Sequence, residues 1–343
     1  MKCSLKGGLL LLTVASFCSR GHALALQRLP FPVPAAVKGS ITVDGNNCVY
    51  AAMGKEDAPL IFLVHGFGAS KYHWRYQMPY LAEQGFRVVA PDLLGFGESD
   101  KPITQYTPEL WVRQCAALME EQNALAKKKD RKAMVAGNSL GGYVALALAS
   151  ERKDLIASAT LLNGAGKFAN GMREDDPPKP GPSPIDNMMQ IVSDALQRMA
   201  LTTTFFYTKQ PARIEQVLRQ VYIDSTNVDA DLIESIRRPS DDEKAAEVFY
   251  RIVSRTATGA ITFKDTIDGR LAKLDPSFPL YLLWGQQDPW IRPITADKIQ
   301  SIRPETRRVN LPAGHCPHDE VPTAVNEALV QFMAEIGLSP TAA

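Results

Sequence analysis

The chain of 343 residues lacks an excess of either charge: 38 Lys and Arg stand against 37 Asp and Glu, a net of +1. That balance supplies no broad positive field, so nucleic acid is not expected as a partner. Cysteine is scarce, five in all, with Cys3 and Cys18 close to the N-terminus and only Cys48, Cys115 and Cys316 beyond. An odd, widely spaced trio makes neither a disulfide framework nor a metal-ligand cluster. No metal or other cofactor is therefore expected, and a reducing interior suits the three thiols better than an extracellular setting. Also missing is any apolar run of the ~18 residues that a membrane span needs. What remains, 45% hydrophobic and 22% charged, excludes a disordered, collagen-like or coiled-coil chain.

The even balance conceals an asymmetry. Residues 1–38 carry five basic side chains (Lys2, Lys6, Arg20, Arg28 and Lys38) and no acid, which leaves 33 basic against 37 acidic residues in the remainder. Lys2 and Lys6 precede the apolar stretch from Gly7 to Phe17, too short to span a bilayer and suited to the core of a signal peptide. Cleavage is open to two places, after Ala15-Ser16 or at Gly21-His22-Ala23. The following basic segment ends in Leu29-Pro-Phe-Pro-Val-Pro34 and resembles a transit peptide. Read together, 1–38 resembles a bipartite plastid presequence, with plain secretion as the alternative.

From about Ile41 strand-like and helix-like segments alternate, the pattern of a parallel sheet covered on both faces. Asp44-Gly45-Asn46 marks a hairpin. Short apolar runs at Leu60–Val64, Val88–Ala90, Ala133–Ala136, Ala159–Leu162 and Leu280–Trp284 predict buried strands, and Arg308–Leu311 another. Helices are expected over Lys71–Gln84, Pro108–Lys127, Leu140–Ser150, Asp241–Arg255, Thr295–Ile302 and Pro322–Ile336. The alternation stops near Gly164. Prolines crowd a loop at 173–186, and Ile214, Val217, Leu218, Val221 and Tyr222 then share one helical face. Since strands resume at Leu280, 165–257 is expected to be a helical insertion in one sheet domain made of 39–164 and 258–338, with a tail at 339–343.

Chemistry centres on Gly137-Asn138-Ser139-Leu140-Gly141, a G-x-S-x-G between a predicted strand and a predicted helix, the context of a nucleophile elbow. Small residues flank the serine because strand and helix must approach closely around a strained turn. Leu140 N–H, at the helix start, can donate to an oxyanion. A second donor, Phe67 N–H, is expected from His65-Gly66-Phe67-Gly68 after the strand Leu60–Val64. Serine needs a base, and the base needs an acid. Of five histidines, His22 falls in the leader, His65 suits loop hydrogen bonding and His73 lies in a helix-like stretch. His315 is the preferred base from its place after the last strand, with His318, expected to cap the loop or face solvent, as fallback. Asp288 is the preferred acid; Asn163 at the rival position has no charge to offer, and Asp92 suits a loop-ordering role.

These residues resemble the α/β-hydrolase superfamily over about 45–338, with Asp92-Leu-Leu-Gly95-Phe-Gly97-Glu-Ser99 and Gly314-His315-Cys-Pro317-His-Asp-Glu320-Val-Pro322 adding to the likeness. The resemblance implies an α/β-hydrolase fold with a mostly parallel central sheet, helices on both faces, and a helical cap inserted after the sixth strand. Gly137 to Ala145, Gln220-Val-Tyr222 and Thr226-Asn227-Val228-Asp229 look like pheophytinase and related plastid hydrolases. That likeness implies hydrolysis of an apolar ester, pheophytin dephytylation or a related reaction, in a plastid with peripheral thylakoid contact. A C–C bond hydrolase, a small-ester hydrolase or a non-catalytic receptor on the same fold stays open. Met188, Met189, Phe205, Phe206 and Tyr222 are expected to line the substrate pocket, and excision of 171–255 to erase the preference for large esters.

Overall fold

The structure is a computed structural model that describes residues 36–176, 184–254 and 261–340, with the side chains of 184–192 outside that description. The leader up to residue 35, Pro177 to Ser183 and the side chains of Met188 and Met189 thus lie outside the described residues. Eight strands form one sheet in the order β1-β2-β4-β3-β5-β6-β7-β8. They are β1 (Val37–Val43), β2 (Asn46–Met53), β3 (Leu60–Val64), β4 (Arg87–Pro91), β5 (Ala133–Asn138), β6 (Ile156–Leu162), β7 (Leu280–Gly285) and β8 (Arg307–Leu311). β1 begins at Val37, two residues inside the stretch read as presequence. β1 and β2 pair antiparallel through Asp44 and Gly45, whose φ values of 49° and 77° make the two-residue turn that suits strand twist. β2 meets β4 antiparallel, and every pairing from β4 to β8 is parallel.

Helices cover both faces: α1 (Gln77–Glu83), α2 (Pro108–Leu125), α3 (Leu140–Glu151), α4 (Pro184–Thr208), α5 (Pro211–Val221), α6 (Ala230–Arg237), α7 (Ala245–Val253), α8 (Ile267–Ala272), α9 (Ile294–Ile302), α10 (Pro317–Glu320) and α11 (Pro322–Glu335). The continuous apolar runs make sense strand by strand. In β3, Leu60, Phe62 and Val64 join the core shared with α2, α3 and α9, while Ile61 and Leu63 join the core under α1 and α11. β7 divides likewise, Leu282 and Trp284 to one side, Tyr281 and Leu283 to the other. Period-two alternation in a two-sided sheet leaves no polar face to write into the sequence.

Two helices depart from expectation. Lys71–Gln84 is not one helix but a 3-10 turn, Lys71–Trp74, followed by α1. All four residues of that turn are buried, which leaves no solvent face for an amphipathic α-helix, and i→i+3 bonds (His73 N to Ser70 O, 3.0 Å) tighten it. The helix expected from Asp241 starts at Ala245, after a 3-10 turn at Arg238–Asp241. Between β6 and β7 run α4 to α8, of which the six-residue α8 is too short to leave a periodic signal.

Candidate active site

The turn from β5 into α3 is set by backbone crowding. Ser139 sits at φ 54°, ψ −117°, a conformation that costs on the order of 1–3 kcal/mol for a residue with a side chain. It persists because its neighbours leave no alternative. A Cβ on Gly137 would stand 2.1 Å from Gly141 O, and one on Gly141 would stand 2.1 Å from Val64 O. Ser139 N donates to Leu162 O at 3.1 Å and Ala165 N donates to Ser139 O at 2.8 Å, tying the turn to the end of β6. Leu140 opens α3, so its N–H has no intrahelical acceptor by position.

Asp288 and His315 come from the loops after β7 and β8. His315 Nδ1 and Asp288 Oδ2 are 2.7 Å apart, both side chains buried. Asp288 also accepts from Asn163 Nδ2 at 2.8 Å on Oδ2, and from Trp290 N and Ile291 N at 2.7 and 3.0 Å on Oδ1. Burial alone would raise its pKa, but the bonds to His315 and to those amides hold the carboxyl below its ordinary range. Asn163 is the residue that sequence reasoning set aside for lack of charge. Its Oδ1 accepts from Gly285 N at 2.8 Å, so it holds the Asp288 carboxylate against the end of β7.

The other titratable candidates hold loops. His65 Nδ1 contacts Gly66 O at 2.7 Å and its Nε2 accepts from Leu93 N at 3.0 Å, which defines a neutral Nδ1–H tautomer; burial keeps the pKa low. Asp92 accepts Lys71 N at 2.7 Å, Lys71 Nζ at 2.6 Å and Glu98 N at 2.9 Å. Against full burial, which raises it, the Lys71 ammonium keeps this carboxyl low. His318 neither caps the loop nor faces solvent: it is 0% exposed, 4.4 Å from the rings of His73 and Trp74, and burial holds its pKa well down.

A cavity of about 450 Å³ opens over Ser139, with His315, Phe67, Asn138 and Trp290 on its wall and Phe205, Ile214, Val217 and Val248 facing them from between β6 and β7. Phe67 and Phe249 approach to 5.9 Å between ring centroids, closing one side. Of the residues expected to line it, Phe205 does. Phe206 is 52% exposed and points outward, and Tyr222 is buried elsewhere, its hydroxyl donating to Asp319 Oδ2 at 3.1 Å and 2.8 Å from His73 Nε2. Helical periodicity groups Phe205 or Tyr222 with a face without saying what that face meets.

Sequence reasoning also gave Glu320 no role. Its buried carboxylate accepts from Gly314 N at 3.0 Å, Cys316 N at 3.3 Å and Ile223 N at 2.8 Å. His315 N itself donates to Val221 O at 2.8 Å, and a Cβ on Gly314 would meet that same oxygen at 2.1 Å. The loop that carries His315 is therefore built against residues 221–223.

Residues 59–322 match the family described as alpha/beta hydrolase fold. The chain is 28% identical over 311 residues to the chloroplastic pheophytinase of Arabidopsis thaliana, covering 79% of this chain but only 60% of that protein's length. It is 26% identical to Lipase 1 of Psychrobacter immobilis, covering 82% of this chain and 78% of the lipase. Among solved structures, a serine hydrolase involved in carbazole degradation superposes with a TM-score of 0.67 at 20% identity, over 88% of this chain and 100% of that one, a likeness of fold.

Proposed function

The chain belongs to the α/β hydrolase fold family, and from that premise we propose that it hydrolyses a carboxylic ester of a large apolar substrate through Ser139, His315 and Asp288. The observation that carries this reading is that His315, bonded to Asp288 at 2.7 Å, lines the same cavity as the strained Ser139 turn. With Nδ1–H donated to Asp288, Nε2 of His315 is left to accept the Ser139 proton as Oγ attacks the ester carbonyl. Asp288 stabilises the imidazolium, and the N–H groups of Phe67 and Leu140 receive the oxyanion. Collapse expels the alcohol, protonated by His315, and leaves an acyl-enzyme that water hydrolyses by the reverse sequence. A serine at the elbow makes an alkyl-enzyme route through a carboxylate inapplicable.

In this reading 39–164 and 258–338 form the catalytic core and 165–257 a cap that supplies the apolar wall. The narrower assignment, pheophytin dephytylation in a plastid, is supported by the likeness to a chloroplastic pheophytinase. Ser139→Ala tests the whole: fluorophosphonate labelling should vanish and turnover of an ester panel, pheophytin included, should fall by about 10³-fold or more. Wild-type-like turnover by that variant sinks the assignment.

A further inference from the structure

The cavity over Ser139 is apolar along most of its wall, yet its described lining includes two lysines, Lys101 and Lys209, and no aspartate or glutamate. Lys101 is 7% exposed. Its Nζ donates to Gly97 O at 3.0 Å and Ser99 O at 3.4 Å, and the nearest acid, Asp242 at 3.8 Å, lies beyond hydrogen-bond distance and is 41% exposed. Two backbone oxygens and this one long ion pair are thus the described partners of the ammonium. Burial lowers the Lys101 pKa, and the surrounding acids do not make up the loss. Lys209, at the end of α4, approaches the same 239–242 segment from the other side: its Nζ lies 3.4 Å from Ser240 O and 3.3 Å from Asp241 Oδ1, and 5.3 Å from the centre of the Phe206 ring. Pro239 and Ser240 line the cavity between them.

A cation in an apolar wall is costly unless something negative meets it; Lys101 has only the 3.8 Å pair with the exposed Asp242, whereas Lys209 pairs with Asp241 at 3.3 Å. We propose that the cavity takes amphiphilic anions: esters with a long apolar body and a free carboxylate or phosphate group that faces Lys101 and Lys209. Ile214, Val217, Val248 and Ile252 surround the body, and the ammonium groups orient it relative to Ser139. This rests on the serine-ester reading and competes with its pheophytin form, since a tetrapyrrole ester with no free acid is then a poorer substrate than an amphiphilic half-ester.

The test compares 4-nitrophenyl nonanoate with the 4-nitrophenyl half-ester of nonanedioic acid, the same chain with a terminal carboxylate. The ratio of kcat/KM, charged over neutral, should be about 10 or more in the wild type and fall towards 1 in Lys101→Met and Lys209→Met. A wild-type ratio at or below 1 overturns the proposal. Lys209 is half-buried just beyond α4, so its variant still decides the matter if Lys101→Met does not fold. Calorimetric titration of Ser139→Ala with nonanoate, nonyl phosphate and nonanol separates this idea from the catalytic one. Tighter binding of either anion than of the alcohol supports the subsite even if neither ester is turned over, equal binding refutes it, and the two anions tell carboxylate from phosphate.

Discussion

The two sides of the cavity are built differently. On the core side, Ser139, His315 and Asp288 sit on backbone that has no freedom: crowded glycines at 137 and 141, a buried asparagine on the acid, four backbone amides within reach of one glutamate. On the other side, α4 presents Leu196, Met199, Phe206 and Tyr207 outward at 59, 65, 52 and 54% exposure, and surface ion pairs such as Arg219–Glu215 join neighbouring turns. The boundary between these regimes does not fall where the chain leaves the sheet. Residues 221–229, from the last residue of α5 onward, are bonded to the core: Val221 O accepts His315 N, and Arg75 donates to Asn227 O at 2.7 Å, to Asp229 at 2.8 Å and to Asp319 at 3.0 Å. A region that looks like one cap in sequence thus has a foot hydrogen-bonded to the His315 loop and a roof with more exposed apolar side chains.

Removing foot and roof together should have the largest effect. Excision of 171–255, expected from the sequence to erase the preference for large esters, also removes Val221 O and Ile223 N, so the expected outcome is loss of turnover on every ester. A purified, folded excision variant that retains short-ester kcat would erase the distinction between foot and roof. Next comes the foot alone. Glu320→Ala leaves Gly314 N, Cys316 N and Ile223 N without their acceptor, and kcat should fall on the order of 10²-fold with KM little changed, because small displacements of a base are costly. Steady-state kinetics beside Glu320→Gln, which keeps one acceptor oxygen and should recover part of the loss, checks this. On the roof the effect should move to selectivity: Phe205→Ala should lower kcat/KM for a long-chain ester by about tenfold through lost apolar burial, and an acetyl ester by less. Smallest of all, Glu215→Ala breaks an exposed i,i+4 pair and should change unfolding free energy by no more than about 0.5 kcal/mol, read by urea titration. A larger loss there would mean that the roof is as tightly built as the foot.

Sequence alone determined the sheet and the strained turn at Ser139, because both are local. Buried strands must be continuous apolar runs, Asp44-Gly45 must turn with both φ positive, and a serine between two glycines at a strand–helix junction admits one geometry. Tertiary structure decided the rest. Asn163 and Asp288 are 125 residues apart and Ile223 and Glu320 are 97 apart, so no spacing or period links them. Lys71–Trp74 carries helix-forming residues, but burial from all sides makes it a 3-10 turn. The neighbours Phe205 and Phe206 are alike in sequence and opposite in role, one lining the cavity and one in solvent. A side chain's chemistry and periodicity are written along the chain; what it faces depends on where distant segments come to rest.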